Sequence, residues 1–151
     1  MKTTVSVVIA SLALAAGALA APAKKLQLKD LLPPVQATIR EQSKGAEIRN
    51  ISSETEDGIA QYEVETVLNG KHRDFNVDTK GALLVVEEET TLDATPPAAK
   101  AVILKKTAGG KLGMIELFKR GSEALYEAAY TGRDGKKHSV LLKADGSETK
   151  D

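Results

Sequence analysis

From Tyr62 to Gly81 the chain reads YEVETVLNGKHRDFNVDTKG. Apolar and polar residues alternate as far as Asn69-Gly70, alternate again, and stop at Lys80-Gly81. Successive side chains of a strand point to opposite sides, so Tyr62, Val64, Thr66 and Leu68 share one face while Gln61, Glu63 and Glu65 share the other. Asn-Gly between two alternating runs predicts a two-residue hairpin, because both central residues of that turn need positive φ. The next run sets Phe75 and Val77 against Asp74, Asn76 and Asp78. An earlier strand is predicted over Glu47 to Glu54, turning at Asp57-Gly58, and a fourth starts at Leu83 to Val86. Ahead of them, Leu31-Leu32-Pro33-Pro34 leads into a helix over Val35 to Lys44. Val35 and Ile39, four apart, share its apolar face, and Gly45 is suited to end it.

The pattern returns. Tyr126 to Gly146 reads YEAAYTGRDGKKHSVLLKADG and keeps the Tyr-Glu start, the Gly-Lys turn and the closing Gly, with Tyr126 falling 64 positions after Tyr62. Thr95-Pro96-Pro97 predicts a second helix, with Thr95 as N-cap and Pro96 in the first helical position. Ala98, Ala99, Val102 and Ile103 form its buried stripe, and Gly109-Gly110 ends it. Strands follow at Lys111 to Lys119, Ala124 to Thr131 and Lys136 to Lys143, with a weak tail at Ser147 to Lys150. The expected fold is α+β: two tandem units, each one helix packed on a four-stranded antiparallel meander sheet. Residues 31–89 make the first unit, 90–94 a linker and 95–151 the second. A sheet apolar on one face must be covered, and the helix is the available cover. Units this small have marginal cores, so the two are expected to pack on each other.

Residues 1–20 read as a secretory signal peptide: Lys2, an apolar run from Val5 to Leu19, and a small-x-small site at Ala18-Leu19-Ala20. Residues 21–30 are a lead-in. The expected location is periplasmic or secreted, with no membrane span in the mature chain. The 21 basic side chains balance the 21 acidic ones, which argues against a nucleic-acid partner, since phosphate recognition needs a basic surface. The sequence holds no Cys, so disulfides and thiolate chemistry are excluded. With 2 Phe, 3 Tyr and no Trp, the core must come mainly from aliphatic side chains.

Candidate chemistry is sparse. His72 and His138 fall in corresponding strands, but no further ligands stand at metal-binding spacing. Glu87-Glu88-Glu89 with Glu54, Glu56 and Asp57 offers oxygen ligands without the calcium-loop pattern. Glu63 and Glu65 lie opposite Tyr62, on what alternation makes the solvent face, where nothing would raise a carboxyl pKa. No nucleophile elbow or phosphate-cradling loop surrounds the serines or Gly109-Gly110. No catalytic residues, cofactor or metal are expected.

Taken together, Leu32-Pro33-Pro34-Val35 with Ile39, Glu56-Asp57-Gly58, Tyr62-Glu63-Val64, Asn69-Gly70-Lys71 and Val77-Asp78 with Gly81 resemble the PepSY-like family. Pro96-Pro97-Ala98 with Ile103, Tyr126-Glu127, Asp134-Gly135-Lys136 and Asp145-Gly146 repeat the resemblance in the second half. The branch is the one related to the β-lactamase inhibitor protein. The resemblance implies an exported, non-enzymatic binding module, an inhibitor or regulator of an envelope or secreted protein. The alternative is a small-ligand or divalent-cation binding protein of the cell envelope. Comparing the halves singles out a partner surface. Gln61, Glu65 and Asn76 of the first correspond to Leu125, Ala129 and Leu141 of the second. These three are the candidate partner-binding residues, and their other explanation is packing against the first unit.

Overall fold

The computed structural model describes residues 25–56 and 58–149. The signal-peptide reading of residues 1–20 lies outside the described residues. A short 3-10 turn (Leu28–Asp30) precedes α1 (Pro33–Gln42). Four strands follow: β1 (Glu47–Glu56), β2 (Ile59–Leu68), β3 (Lys71–Asp78) and β4 (Leu83–Thr90). Then come α2 (Pro97–Thr107), β5 (Lys111–Arg120), β6 (Glu123–Thr131), β7 (Lys137–Lys143) and the two-residue β8 (Glu148–Thr149).

The strands do not form two sheets. All eight pair in chain order, β1 through β8, in one antiparallel sheet. This corrects the expected pair of helix-on-four-strand units: the molecule is mostly sheet, a single eight-stranded meander carrying two helices among the described residues. The reason lies in β4, which runs on past Val86 to Thr90 and pairs with β5 from Val86↔Lys119 to Thr90↔Ile115. Separate sheets would have left the ladder groups of both edges open; joining them satisfies both at once. The Asn69-Gly70 turn forms as the sequence indicates, with φ of 53° and 80°.

Both helices lie on the same face of the sheet. Val35 and Ile39 of α1 pack with Ile51, Val64, Phe75, Val77 and Val86. Ala99 and Ile103 of α2 pack with Ile115, Ala128, Val140 and Leu142. Thr90 pairs with Ile115 and Val86 lies four residues earlier on β4, so the two clusters share a side. Each large side chain sealed there contributes about 1.5–3 kcal/mol. The helix starts differ from expectation: α1 begins at Pro33 rather than Val35. Pro96 rather than Thr95 precedes α2, with no side-chain cap; the Thr95 hydroxyl donates instead to the Thr91 carbonyl at 3.0 Å.

Two turns dock under the helix starts. Gly81 (φ 90°) and Gly146 (φ 82°) bring backbone so close that a Cβ would meet the Pro34 carbonyl oxygen at 2.8 Å and that of Ala98 at 2.9 Å. At the other end of α1, Arg73 donates to the Gln42 carbonyl at 2.8 Å and to its side-chain oxygen at 3.0 Å. The helix end thereby gains a cation and a donor for a carbonyl that has no intrahelical partner.

Candidate functional site

The opposite face carries no helix among the described residues. Strand alternation and register decide what stands on it. Asn50, Ser52 and Glu54 come from β1, Gln61, Glu63 and Glu65 from β2, and Asp74 and Asn76 from β3. Val85 and Glu87 come from β4, Glu116 and Phe118 from β5, and Leu125 and Glu127 from β6, with Leu141 from β7. The ladder slips between Ile48 and Asn50, between Asn76 and Val77, and between Leu112 and Ile115. Such bulges bend and twist their strands.

This open face has two parts. Over β1 to β3 it is a polar lattice. The Gln61 amide donates to Glu54 at 2.8 Å and to Glu56 at 2.7 Å, and the Asn76 amide donates to the same Glu54 oxygen at 2.8 Å. Asn50 donates to Glu65 at 2.9 Å and Ser52 to Glu63 at 3.3 Å. Over β4 to β7 it carries an apolar cluster of Val85, Phe118, Leu125 and Leu141. The candidate residues Leu125 and Leu141 are thus brought together, yet they are only 7% and 8% exposed. They pack across the junction of the two halves, because Val85 belongs to the first. Ala129 lies further along β6, opposite Ser139 and outside the cluster.

A row of carboxylates crosses the face beside the apolar cluster. Asp74 pairs with Glu87, Glu89 with Glu116, and Glu116 with Glu127. The row is not well solvated; Glu116 is only 9% exposed. Burial, and then repulsion from Glu116, pushes Glu87 up to about 8. Burial, and then Glu127, pushes Glu116 up to about 7. Glu63 is raised to about 7 by burial and by Glu54 and Glu65. Asp74 is raised chiefly by burial, although it accepts the Thr66 N–H at 2.9 Å. The expectation that Glu63 stands on a well-hydrated face with an ordinary carboxyl is therefore corrected. Phe118 and Val85 had escaped the sequence reading, and Glu87 and Glu89, weighed there as oxygen ligands, had not been joined with Asp74, Glu116 and Glu127. The only trace was period-two spacing, in Glu63 and Glu65 of β2 and again in Glu87 and Glu89 of β4.

The two histidines part company. His72 is on the open face, near enough to Glu116 to ease its ionisation. His138 is on the helix face, stacked on Tyr130 with ring centres 5.3 Å apart and 3.3 Å from Asp134. Among the described residues no group of three or more His, Asp or Glu side chains is arranged to hold a metal ion, and no helix is long and apolar enough to cross a membrane.

No protein-family model matches this chain, and no curated protein sequence matches it. Solved structures do. A protein provisionally described as periplasmic, from Bacteroides eggerthii, superposes with a TM-score of 0.66 at 14% identity, over 80% of this chain and 86% of that one. A DUF2874 family protein from Bacteroides uniformis gives 0.64 at 15% identity, over 79% and 86%. A BLIP-like protein from Bacteroides fragilis gives 0.58 at 15% identity, over 79% and 83%. At such identities the likeness is one of fold: the sheet and helix arrangement is shared with DUF2874 and BLIP-like proteins.

Proposed function

We propose that this protein is an exported, non-enzymatic module, PepSY-like in its sequence pattern, that binds a protein partner through the open face of its sheet and so inhibits or regulates it. The observation that carries this reading is the asymmetry of the sheet. Both helices cover one side, while the other carries no helix among the described residues and sets a row of poorly hydrated carboxylates beside a closely packed apolar cluster. Leu125 and Leu141 form the floor of that surface and Ala129 its extension along β6. Buried polar and apolar groups side by side are what the centre of a specific interface looks like. The signal-peptide pattern, the periplasmic description of the B. eggerthii protein and the BLIP-like fold all fit a periplasmic or secreted binder. Capture tests it. The immobilised chain should retain one envelope or secreted protein; Glu65→Lys with Glu89→Lys on the open face should abolish retention, and Lys105→Glu on α2 should not. Retention lost only with the α2 variant would overturn the reading.

The neighbouring buried acids Glu87 and Glu116 are the one observation that favours the alternative, a divalent cation as ligand, although among the described residues no three His, Asp or Glu side chains are arranged to hold one. Calorimetric titration with calcium and magnesium separates the two: saturable heat lost in Glu87→Gln with Glu116→Gln would support the cation.

A further inference from the structure

The open face is short of cations where its carboxylates are most buried. Arg73 and Lys119 both turn to the helix side, where they meet Glu88 at 3.3 and 2.6 Å. By alternation Lys111 and Arg120 of β5 and Lys137 and Lys143 of β7 share the open face, where in register Lys111 and Lys137 stand opposite Thr131, Arg120 opposite Glu123 and Lys143 opposite Leu125. Among the described residues no hydrogen bond or ion pair reaches the carboxylate of Glu87 or of Glu116, although Glu116 is more than nine-tenths buried. The charges acting on Glu87 come from Glu116, Asp74, Glu63 and Glu127, all carboxylates. On Glu116 they come from Glu127, Asp74 and Glu89, with His72 alone opposing them. A buried carboxylate left in that state is costly unless it takes up a proton or a cation.

The same groups have apolar neighbours in register. Glu87 lies directly opposite Phe118, and Glu127 directly opposite Leu141. An acid beside an apolar side chain, repeated on adjacent strands, complements one kind of group: a Lys or Arg side chain, with an aliphatic stem and a charged head. We propose that the open face receives a lysine or arginine of its protein partner, the head meeting Glu87 and Glu116 and the stem crossing the small area that Phe118 and Leu141 leave exposed. This rests on the protein-binding reading above and names the chemistry it selects. The partner's cation replaces the protons that Glu87 and Glu116 hold below neutrality, so binding releases protons and strengthens with pH.

The test is selection of random linear peptides displayed on phage against the immobilised full chain at about pH 8, where Glu116 and much of Glu87 are ionised. Selected peptides should carry Lys or Arg next to an apolar residue. Their affinity should rise at least roughly tenfold between about pH 6 and pH 8, as expected when one group of pKa about 7 must ionise. Glu87→Gln with Glu116→Gln keeps the shape of the site and removes a charge strain, so the variant folds. It should bind the same peptides at least roughly tenfold more weakly and with no pH dependence. Peptides that lack a basic residue, lose affinity in a Leu125→Ala variant and ignore the Gln substitutions would overturn the cation proposal while leaving the protein-binding reading intact. Peptides that bind both open-face variants as well as the parent would overturn both.

Discussion

Glu87 and Glu88 are neighbours in β4, point to opposite faces of the sheet, and have their acidities moved in opposite directions. Glu87 faces other acids and is raised to about 8. Glu88 accepts from Lys119 at 2.6 Å and from Arg73 at 3.3 Å, and is lowered, Lys119 being the larger influence.

The open face makes stability fall as the solution turns alkaline. Glu63, Glu87 and Glu116 have folded values near 7, 8 and 7, above the ordinary 4.5. The folded chain therefore holds protons that the unfolded chain has given up. That stabilisation is fully present below 4.5 and is lost as the pH rises through 7 and 8. The melting temperature should drop by at least about 4 °C between about pH 5.5 and pH 8.5. Glu87→Gln should raise it at the higher pH and shrink the drop. A flat profile across that window in thermal melts would refute the burial of the row.

Glu88 acts in the opposite sense. Its folded value is depressed, so its contribution is present above the unfolded value and disappears as the pH falls through the folded one. Its side chain is 35% exposed, which limits the worth of the pair to about 1 kcal/mol. Arg73 does more, since it also holds the end of α1 and lies 5.6 Å from the Phe75 ring centre. Arg73→Ala should destabilise by about 2 kcal/mol and Glu88→Gln by about half that. Urea melts of the two variants at neutral pH give the ranking.

Gly81 and Gly146 should not tolerate alanine. Each has positive φ, and each would drive a Cβ into helix backbone. Either substitution should cost roughly 2–3 kcal/mol. Gly70→Ala, also at positive φ but with nothing within 4 Å, should cost only about 1 kcal/mol. Equal losses at all three positions would show that the helix starts do not rest on these turns.

Among core truncations, Phe75→Ala should be the most damaging. Phe75 and Leu142 are fully buried, which predicts a cost of roughly 3–5 kcal/mol for each truncation to alanine. Tyr62 and Tyr126 are half-buried, so their truncation should cost less, about 2 kcal/mol. Denaturant midpoints that place either tyrosine above Phe75 would mean that the apolar centre is misplaced.

Most elements were legible because local chemistry specifies them. Asn69-Gly70 fixes its hairpin through φ, and Val35 with Ile39 fixes the buried face of α1. The single sheet was not legible. β4 and β5 are separated by a helix rather than a turn, so no turn residue announces their pairing. The segment from Glu87 to Thr90 that makes the pairing reads as a polar strand end. The carboxylate row was missed for a related reason. Each acid alone obeys the alternation of a solvated face, and the row exists only once β4 is paired with β5 and β5 with β6. Of the proposed apolar site, Leu125 and Leu141 were found by comparing the halves, whereas Val85 and Phe118 had no counterpart to mark them.

Because the order of strands in the sheet is the order of strands in the chain, every ladder can close on a segment made just before it. No strand must wait for a distant one, and no crossover has to be threaded. The entropy lost in each closure is that of a short loop, apart from the single step over α2. Assembly can therefore proceed like a zip from either end. The step from β4 to β5 is where a zip begun in one half must pass into the other, so the unfolding cooperativity of the whole chain is decided at Val86 to Thr90.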